Sequence, residues 1–308
     1  MRWEGKNVLI TGGAGFLGSH LTEELIKTNA NVKILDVVSP SNLKNLATLE
    51  GYEYTEADTG NIDAVKKLGK DFDFIFQLGA VAYPNTCESN PEMAFRVNAQ
   101  GTFNILNFAL NNNIRKLVFT SSAQLYGKYP IYLPINEDHP INSVESVYNI
   151  TKKIGEDLCT QFYDKYGLPL LILRLFNSFG PRQALEYFMP TVITQALKNN
   201  LIEIWNEKPT RDFTYVKDTV SALMKAAETS YMVGPINIGS GKEINVGQVA
   251  KHMAEEMGCE LKVLNKDVVG AMRMCCDNSK AKRLLDWETK VDFRDGLKTT
   301  IDWYRNQK

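Results

Sequence analysis

The sequence of 308 residues has few of the side chains that build disulfide frameworks and metal sites. It contains five cysteines, without a Cys-x-x-Cys pair, and three histidines, none at metal-ligand spacing. An odd number of cysteines in this arrangement argues against a disulfide framework and against a structural zinc site. We therefore expect free thiols, no metal ion and a reducing, cytoplasmic setting.

A long hydrophobic run and an excess of either charge are also missing. The most apolar stretch, LPLLILRLF at 168–176, is short and is interrupted by Arg174, so it predicts a buried strand and not a membrane span. The N-terminus lacks the charged-then-apolar pattern of a signal peptide. The net charge of −1 argues against a broad basic surface for nucleic acid or for a membrane.

Short apolar runs with helical stretches between them organise the first part of the chain. These runs are NVLIT at 7–11, VKILD at 32–36, FIFQL at 74–78, KLVFTS at 116–121 and LLILRL at 170–175. Strands that alternate with helices predict an α/β fold with a doubly wound parallel sheet. Prolines and irregular polar connections after Phe176 predict a smaller C-terminal lobe, from which GPINIGSG returns a strand to the sheet.

A glycine-rich turn follows the first predicted strand. In ITGGAGFLGSH, the residues Gly12, Gly15 and Gly18 have the spacing G-x-x-G-x-x-G. Small residues permit a tight turn there and let the backbone, including Phe16 and Leu17, approach a pyrophosphate at a helix N-terminus. Taken alone, the pattern fits an ordinary turn equally well.

Asp36 favours the nucleotide interpretation of this turn. It is the last residue of the second predicted strand, where a carboxylate accepts hydrogen bonds from the adenosine ribose and repels a 2′-phosphate. The cofactor predicted for this Rossmann-type sheet is therefore NAD rather than NADP, although a lone carboxylate also ends strands without any ligand. Asp58 and the turn from Leu78 to Ala80 lie at the next strand ends, where they are either cofactor contacts or ordinary loop residues.

Tyr148 and Lys152 are one helical turn apart, so both side chains lie on the same helix face. The ammonium favours the phenolate, and Tyr148 is predicted to be a general base whose pKa Lys152 lowers. The same spacing occurs at Tyr304 and Lys308, but only Tyr148 follows a predicted strand that ends in serines. The hydroxyl of Ser122 either shares the substrate proton with Tyr148 or only ends its strand.

Together these motifs resemble the extended short-chain dehydrogenase/reductases that act on nucleotide sugars. The resemblance extends over essentially the whole chain, in ITGGAGFLGSH, Asp36, Asp58, SSAQLYG, YNITK, RLFNSFGPRQ, RDFTYVKDTV, NIGSG and DNSKAKRLLDW. It implies a Rossmann-type NAD-binding domain over residues 1–175, with a returning segment near 212–240, and a nucleotide-sugar-binding lobe mainly over 176–308.

The resemblance also implies roles for individual polar residues. Asn98 is expected to support the cofactor site, and Asn177 is expected to contact the sugar or the diphosphate. Arg211 is expected to pair with the diphosphate, because an arginine fork suits phosphate oxygens. The alternative for Arg211 is a solvated loop charge or an ion pair with Asp212.

The stretch TSSAQLYG bears on the reaction. Enzymes of this family remove the proton of the sugar 4-hydroxyl and pass a hydride from C4 to NAD, and their 4,6-dehydratases typically carry an acid and a base after Ser122. This sequence has Ala123 and Gln124 there, neither of which readily abstracts a proton at neutral pH. The Ser-Ala pair resembles UDP-hexose 4-epimerases, in which the 4-keto sugar rotates and takes the hydride back on its other face.

Two departures from the family pattern concern the substrate pocket. The segment KDVVGAMRM replaces an Arg-Pro-Gly-Asp segment, and Arg273 is a candidate substitute for its diphosphate-binding arginine. Met274 resembles the position at which epimerases carry a bulky tyrosine that excludes N-acetyl groups. Because methionine is flexible and narrower, the pocket is predicted to admit UDP-N-acetylhexosamine as well as UDP-hexose, unless Met274 is ordinary core packing.

These features predict an NAD-dependent 4-epimerase of a UDP-sugar, UDP-N-acetylglucosamine or UDP-glucose, with Ser122, Tyr148 and Lys152 as catalytic residues. A nucleotide-sugar 4,6-dehydratase, a UDP-uronic acid epimerase or decarboxylase, a reductase and a non-catalytic sensor are the alternatives. The resemblance also implies a homodimer in which helices beginning near Pro91 and Tyr148 form a four-helix bundle, through apolar positions such as Phe103, Leu106, Leu158 and Phe162.

Overall fold

The strands of the protein are described by a computed structural model that covers residues 2–268 and 270–307. In chain order they are β1 (Asn7–Thr11), β2 (Asn31–Asp36), β3 (Tyr52–Glu56), β4 (Phe74–Gln77), β5 (Lys116–Ser122), β6 (Leu170–Leu175), β7 (Asn177–Phe179), β8 (Leu201–Ile204), β9 (Thr210–Tyr215), β10 (Val233–Ile238), β11 (Glu243–Asn245) and β12 (Glu260–Val263).

Helices connect most of these strands. In chain order they are α1 (Phe16–Lys27), α2 (Ile62–Lys66), α3 (Pro84–Ser89), α4 (Pro91–Ala94), α5 (Gly101–Leu110), α6 (Val147–Tyr166), α7 (Phe188–Asn199), α8 (Val216–Glu228), α9 (Val246–Met257), α10 (Ser279–Leu285) and α11 (Phe293–Arg305). A π-helix, Phe95–Gln100, joins α4 to α5, and short 3₁₀ turns lie at Pro40–Asn42, Lys44–Leu46, Ala123–Tyr126 and Ser143–Glu145.

The central sheet has seven strands in the order β10-β6-β5-β4-β1-β2-β3, and every neighbouring pair is parallel. The chain builds outward from β1 to β3 and then starts again on the other side of β1 with β4. The strand order therefore reverses between β1 and β4. The carboxyl ends of these two strands border the crevice in which open α/β sheets bind ligands.

Alternating side chains along the strands make one hydrophobic layer on each face of the sheet. In β1, Val8 and Ile10 belong to one layer and Leu9 to the other. Helices α1 and α8 cover the first layer, while Leu106 of α5 and Phe162 of α6 belong to the second. Because both faces are covered, the inner strands are apolar along their length, and β5 is buried at every residue.

Two smaller sheets lie outside the central sheet. The two-stranded one is β12-β8, and the three-stranded one is β11-β9-β7. Phe179, Phe213 and Tyr215 pack edge to face in the three-stranded sheet, with ring centroids 5.6 to 6.1 Å apart around Phe179. Phe213 and Tyr215 are therefore core residues.

The strands quoted from the sequence all form, and GPINIGSG supplies most of β10, the edge strand that returns to the central sheet. The predicted α/β fold class is confirmed. Among the described residues, no helix has both the length and the apolarity needed to cross a bilayer.

Candidate active site

The turn after β1 depends on glycine at two positions. Gly12 has a φ of +69°, and a Cβ atom there would lie 2.8 Å from the backbone of Gly79, at the end of β4. A Cβ atom on Gly18 would lie 2.1 Å from the Gly12 carbonyl oxygen. The first glycine therefore makes the turn, and the last lets α1 pack against it.

The N-terminus of α1 is open to an anion. Gly15 precedes the helix and contributes no capping side chain, and the first turn carries no acidic residue. The amide of Ser19 is the first to reach an intrahelical acceptor, the Gly15 carbonyl oxygen, at 3.0 Å, so the amides of Phe16 and Leu17 belong to the unpaired helix end. Backbone donors and the helix dipole together suit a pyrophosphate.

Asp36 braces this turn from the end of β2. Its carboxylate accepts hydrogen bonds from the amides of Ala14 at 2.9 Å and Val38 at 3.2 Å. A carboxylate has acceptor sites to spare for a ribose hydroxyl, and its charge disfavours a 2′-phosphate. The residues present therefore fit NAD.

The other predicted cofactor residues follow the ends of β3 and β4. Asp58 forms an ion pair with Arg96 and accepts the Gly60 amide at 2.7 Å. Leu78 and Ala80 are half-buried in the segment between β4 and α3.

Asn98 holds the segment after β4 against α6. Its side-chain oxygen accepts the Val81 amide at 2.8 Å, and its amide group donates to the Val81 carbonyl at 3.1 Å and to Thr151 Oγ1 at 3.0 Å. Asn98 lies in the π-helix, a wider turn that is frequent at functional sites. Asn98 therefore fixes the strand end relative to the helix of Tyr148.

Ser122, Tyr148 and Lys152 meet at the carboxyl end of β5. Ser122 is the last residue of β5, and its Oγ accepts the Gln124 amide at 3.2 Å. Ser146 caps α6, which places Tyr148 in the first turn of the helix. The Lys152 ammonium, one turn later, donates to the Thr120 carbonyl oxygen at 2.9 Å and lies 6.0 Å from the Tyr148 ring centroid.

Burial dominates the electrostatics of this trio. Burial raises the pKa of Tyr148, while its hydrogen-bond interaction with the Ser122 hydroxyl lowers that pKa. Burial also lowers the pKa of Lys152 to about 8. The structure therefore gives the Tyr148 pKa a direction opposite to the expected one, because burial is the largest influence on it. The Lys152 ammonium donates to Thr120 and not to the phenol, and its predicted lowering of the Tyr148 pKa is not seen.

The tyrosine of the second Tyr-x-x-x-Lys pair, Tyr304, forms a hydrogen bond away from the predicted site. Tyr304 of α11 donates its hydroxyl to the Gln183 carbonyl oxygen. Lys308 lies outside the described residues.

Arg211, in β9, is a cation without a carboxylate partner among the described residues. It donates to the carbonyl oxygens of Thr210 at 2.8 Å and Ala271 at 2.7 Å, and burial lowers its pKa. Asp212 does not pair with it, because that carboxylate accepts four hydrogen bonds, from the amides of Ser240, Gly241 and Cys276 and from the Ser240 hydroxyl. A half-buried guanidinium of this kind suits a diphosphate.

The remaining predicted substrate residues differ in their surroundings. Asn177 is exposed at the start of β7. Arg273 forms a two-pronged ion pair with Glu243, at 2.7 and 2.6 Å. Met274 is buried in a small cluster with Ala123, the residue after Ser122. Met274 thus lies next to the strand end that carries Ser122, whereas Arg273 would have to leave Glu243 to reach a diphosphate.

The match to a family model shows the protein family of this chain. The model of the NAD dependent epimerase/dehydratase family matches residues 8–247, from β1 to the start of α9. The chain belongs to this family. NAD is therefore its cofactor, and the resemblance read from the sequence is confirmed.

Relatives and solved structures agree with this family. The chain is 31% identical to UDP-glucuronic acid decarboxylase 1 of Xenopus tropicalis, over 98% of this chain and 73% of the other. It is similar to the epimerase Mth375 of Methanothermobacter thermautotrophicus, with 32% identity, a TM-score of 0.92 and coverage of 99% and 94%. It is also similar to UDP-N-acetylglucosamine 4-epimerase of Methanobrevibacter ruminantium, solved with UDP-N-acetylmuramic acid, with 29% identity, a TM-score of 0.92 and coverage of 99% and 100%.

One side chain near the site was not predicted from the sequence. Tyr187, the residue before α7, donates its hydroxyl to the Ala82 carbonyl oxygen at 3.2 Å, in the segment that Asn98 holds, and it contributes to the raised pKa of Tyr148. The only sequence signal is an aromatic residue in front of a proline-containing helix, in YFMP, which specifies no chemistry by itself.

Proposed function

We propose that the protein is an NAD-dependent 4-epimerase that converts UDP-N-acetylglucosamine, UDP-glucose or both to the galacto isomer through a transient 4-keto sugar. One observation carries this proposal. The two residues that follow Ser122 at the end of β5 are Ala123 and Gln124, where the 4,6-dehydratases of the family typically carry an acid and a base. An elimination of water needs a further acid and base, and Ala123 and Gln124 offer neither.

Ser122, Tyr148 and Lys152 have different roles in this proposed reaction. Tyr148 takes the proton of the sugar 4-hydroxyl and later returns it, and Ser122 shares that proton through its hydrogen-bond interaction with the phenol. Lys152 is the cation one turn away that favours the phenolate. When bound, NAD supplies the acceptor for the C4 hydride and gives that hydride back to the 4-keto carbon.

The smaller lobe would hold the nucleotide half of the substrate. Arg211 supports this assignment because its guanidinium is half-buried and unpaired among the described residues, so a diphosphate would supply the missing counter-charge. Asn177, Arg273 and Met274 are proposed substrate contacts, with Met274 at the sugar. We accordingly assign residues 1–175 and a returning segment near 212–240 to NAD binding, and 176–308 mainly to the UDP-sugar.

A UDP-glucuronic acid decarboxylase is the second candidate, because the Xenopus tropicalis relative carries that name at 31% identity. Both reactions begin with oxidation at C4, so the same trio serves either. They differ at C6, which an epimerase leaves intact and a decarboxylase removes as carbon dioxide.

We also propose a cytoplasmic homodimer. All five cysteines are free thiols, which suits a reducing compartment. Phe103 on α5 and Tyr166 on α6 are 43% and 46% exposed, and a helix-pairing contact would cover them. Leu106 and Phe162 are buried within the protomer, so they do not belong to such a contact.

Incubation of the purified protein with UDP-N-acetylglucosamine, UDP-glucose or UDP-glucuronic acid, without added reductant, tests the proposal. Proton NMR of the anomeric and C6 signals is expected to reveal a galacto isomer with C6 intact. A C6 methyl group, or a pentose product from UDP-glucuronic acid alone, would refute epimerisation.

A further inference from the structure

A single tyrosine of the smaller lobe reaches across to the cofactor-binding sheet. Tyr187 immediately precedes α7, and its hydroxyl donates to the Ala82 carbonyl oxygen, in the segment after β4, at 3.2 Å. Its ring also packs edge to face on Tyr83, with centroids 5.9 Å apart. This tyrosine therefore spans the border between the two halves of the proposed substrate site.

Tyr187 lies close to the catalytic base. Val81, the neighbour of Ala82, packs against the small cluster of Cys87, Ala94 and Tyr148, so the carbonyl group that Tyr187 contacts is one residue from a side chain that packs on the cluster of the base. Tyr187 also interacts electrostatically with Tyr148. Tyr187 therefore contacts, through Ala82 and Tyr83, the segment that packs at Val81 beside the cluster of the base, and we expect a sugar held at Tyr148 to come within reach of its hydroxyl.

The hydroxyl of Tyr187 is a neutral donor that exchanges partners at little cost. Burial raises the pKa of Tyr187 to about 12, so the group keeps its proton at working pH. Its bond to Ala82 is longer than the usual O–H···O distance of about 2.7–2.8 Å. Ala82 is exposed, so water replaces the donor if Tyr187 turns to another acceptor.

The backbone that carries this side chain is fixed. The Thr191 amide, in the first turn of α7, donates to the Tyr187 carbonyl oxygen at 3.0 Å, and the Thr191 hydroxyl shares its one proton between the carbonyl oxygens of Leu185 at 2.6 Å and Tyr187 at 2.8 Å. Only the side chain therefore has to move for the hydroxyl to reach a ligand.

We propose that Tyr187 is a substrate-positioning residue whose hydroxyl leaves Ala82 and donates a hydrogen bond to the sugar ring of the bound UDP-sugar. This inference rests on the proposed function, in that the sugar lies at Ser122 and Tyr148. It assigns to Tyr187 a contact with the sugar and none with the nucleotide, which Arg211 would hold.

Binding measurements in an enzyme that cannot turn over test this assignment. In a Tyr148→Phe background loaded with NAD, calorimetry compares UDP, UDP-glucose and UDP-N-acetylglucosamine with and without Tyr187→Phe. We expect the second change to weaken binding of at least one UDP-sugar by about twofold to tenfold, the loss of one hydrogen bond, and to leave UDP binding unchanged. Tyr52→Phe, at the start of β3, is the matched control and should alter neither.

Equal losses for UDP and for the UDP-sugars would overturn the proposal, because Tyr187 would then act on the nucleotide or on the structure. Unchanged affinity for both UDP-sugars would overturn it as well. The proposed function fails separately, if the wild-type enzyme binds these sugars without forming a galacto isomer, since the binding comparison involves no turnover.

Discussion

At the scale of single residues, the chemistry depends on the phenol of Tyr148. Tyr148→Phe removes the group that takes and returns the 4-hydroxyl proton, and general acid–base catalysis contributes about 10²–10⁴ in rate. We expect turnover to fall by at least about 10²-fold while NAD remains bound, measured by NMR turnover and by the cofactor content of the purified protein. Tyr163→Phe, farther along α6, is the matched control, and activity in Tyr148→Phe near that of the control would contradict the role.

Met274 bears on substrate choice at the same scale. Met274→Tyr adds bulk inside the cluster beside Ala123, and overpacking of this kind costs about 1–3 kcal/mol. We expect kcat/KM for UDP-N-acetylglucosamine to fall by roughly tenfold or more relative to kcat/KM for UDP-glucose. Met272→Tyr, at an exposed position two residues earlier, should leave that ratio unchanged. An unchanged ratio in Met274→Tyr would make Met274 ordinary packing.

At the scale of elements, a buried ion pair locks α6 against β6. Glu156, one turn after Lys152, accepts two hydrogen bonds from Arg174, at 2.8 and 2.7 Å. Arg174 also donates to the Tyr126 hydroxyl at 3.0 Å, and Tyr126 belongs to the turn after Ser122. The pair thus joins the helix of Tyr148 to the strand end that carries Ser122.

Glu156→Gln would leave the Arg174 charge buried without its counter-charge. Removing one partner of a buried pair costs about 3–5 kcal/mol, and denaturant unfolding is expected to detect a loss of this size. Asp157→Asn, on the same helix, breaks only the exposed pair with Lys153 and should cost about 1 kcal/mol or less. Equal losses in the two variants would contradict this account of α6.

Some elements could not be predicted from the sequence for physical reasons. The π-helix Phe95–Gln100 places Asn98 within hydrogen-bonding distance of Val81 and Thr151. Its wider turn cannot be recognised in the sequence, because hydrophobic periodicity indicates only helices of 3.6 residues per turn. Tyr187 meets Ala82 across 105 positions of the chain, a contact set by the packing of α7. The raised pKa of Tyr148 depends on burial, which the Tyr-x-x-x-Lys spacing does not encode.

At the scale of the whole molecule, the sequence predicts the central sheet well, because strands buried on both faces are apolar throughout, as in β5. The glycines at 12, 15 and 18, Asp36 and the Tyr148–Lys152 pair carry their geometry locally, so the turn, the strand-end carboxylate and the shared helix face were predictable, and their contacts with NAD stay predictions. The smaller sheets were less predictable from the sequence, because the short strands β7, β9 and β11 lack a periodic hydrophobic pattern. The sequence also offers no indication that Arg273, expected to bind a diphosphate, forms an ion pair with Glu243.

The central claim is that one hydride leaves C4 of a UDP-sugar and returns to C4. The most direct test is the incubation described above with substrate that carries deuterium at C4, followed by NMR of the product. An epimerase of this mechanism gives a galacto isomer with deuterium retained at C4 and with C6 intact. Deuterium found at C6, or lost to solvent, would contradict the account.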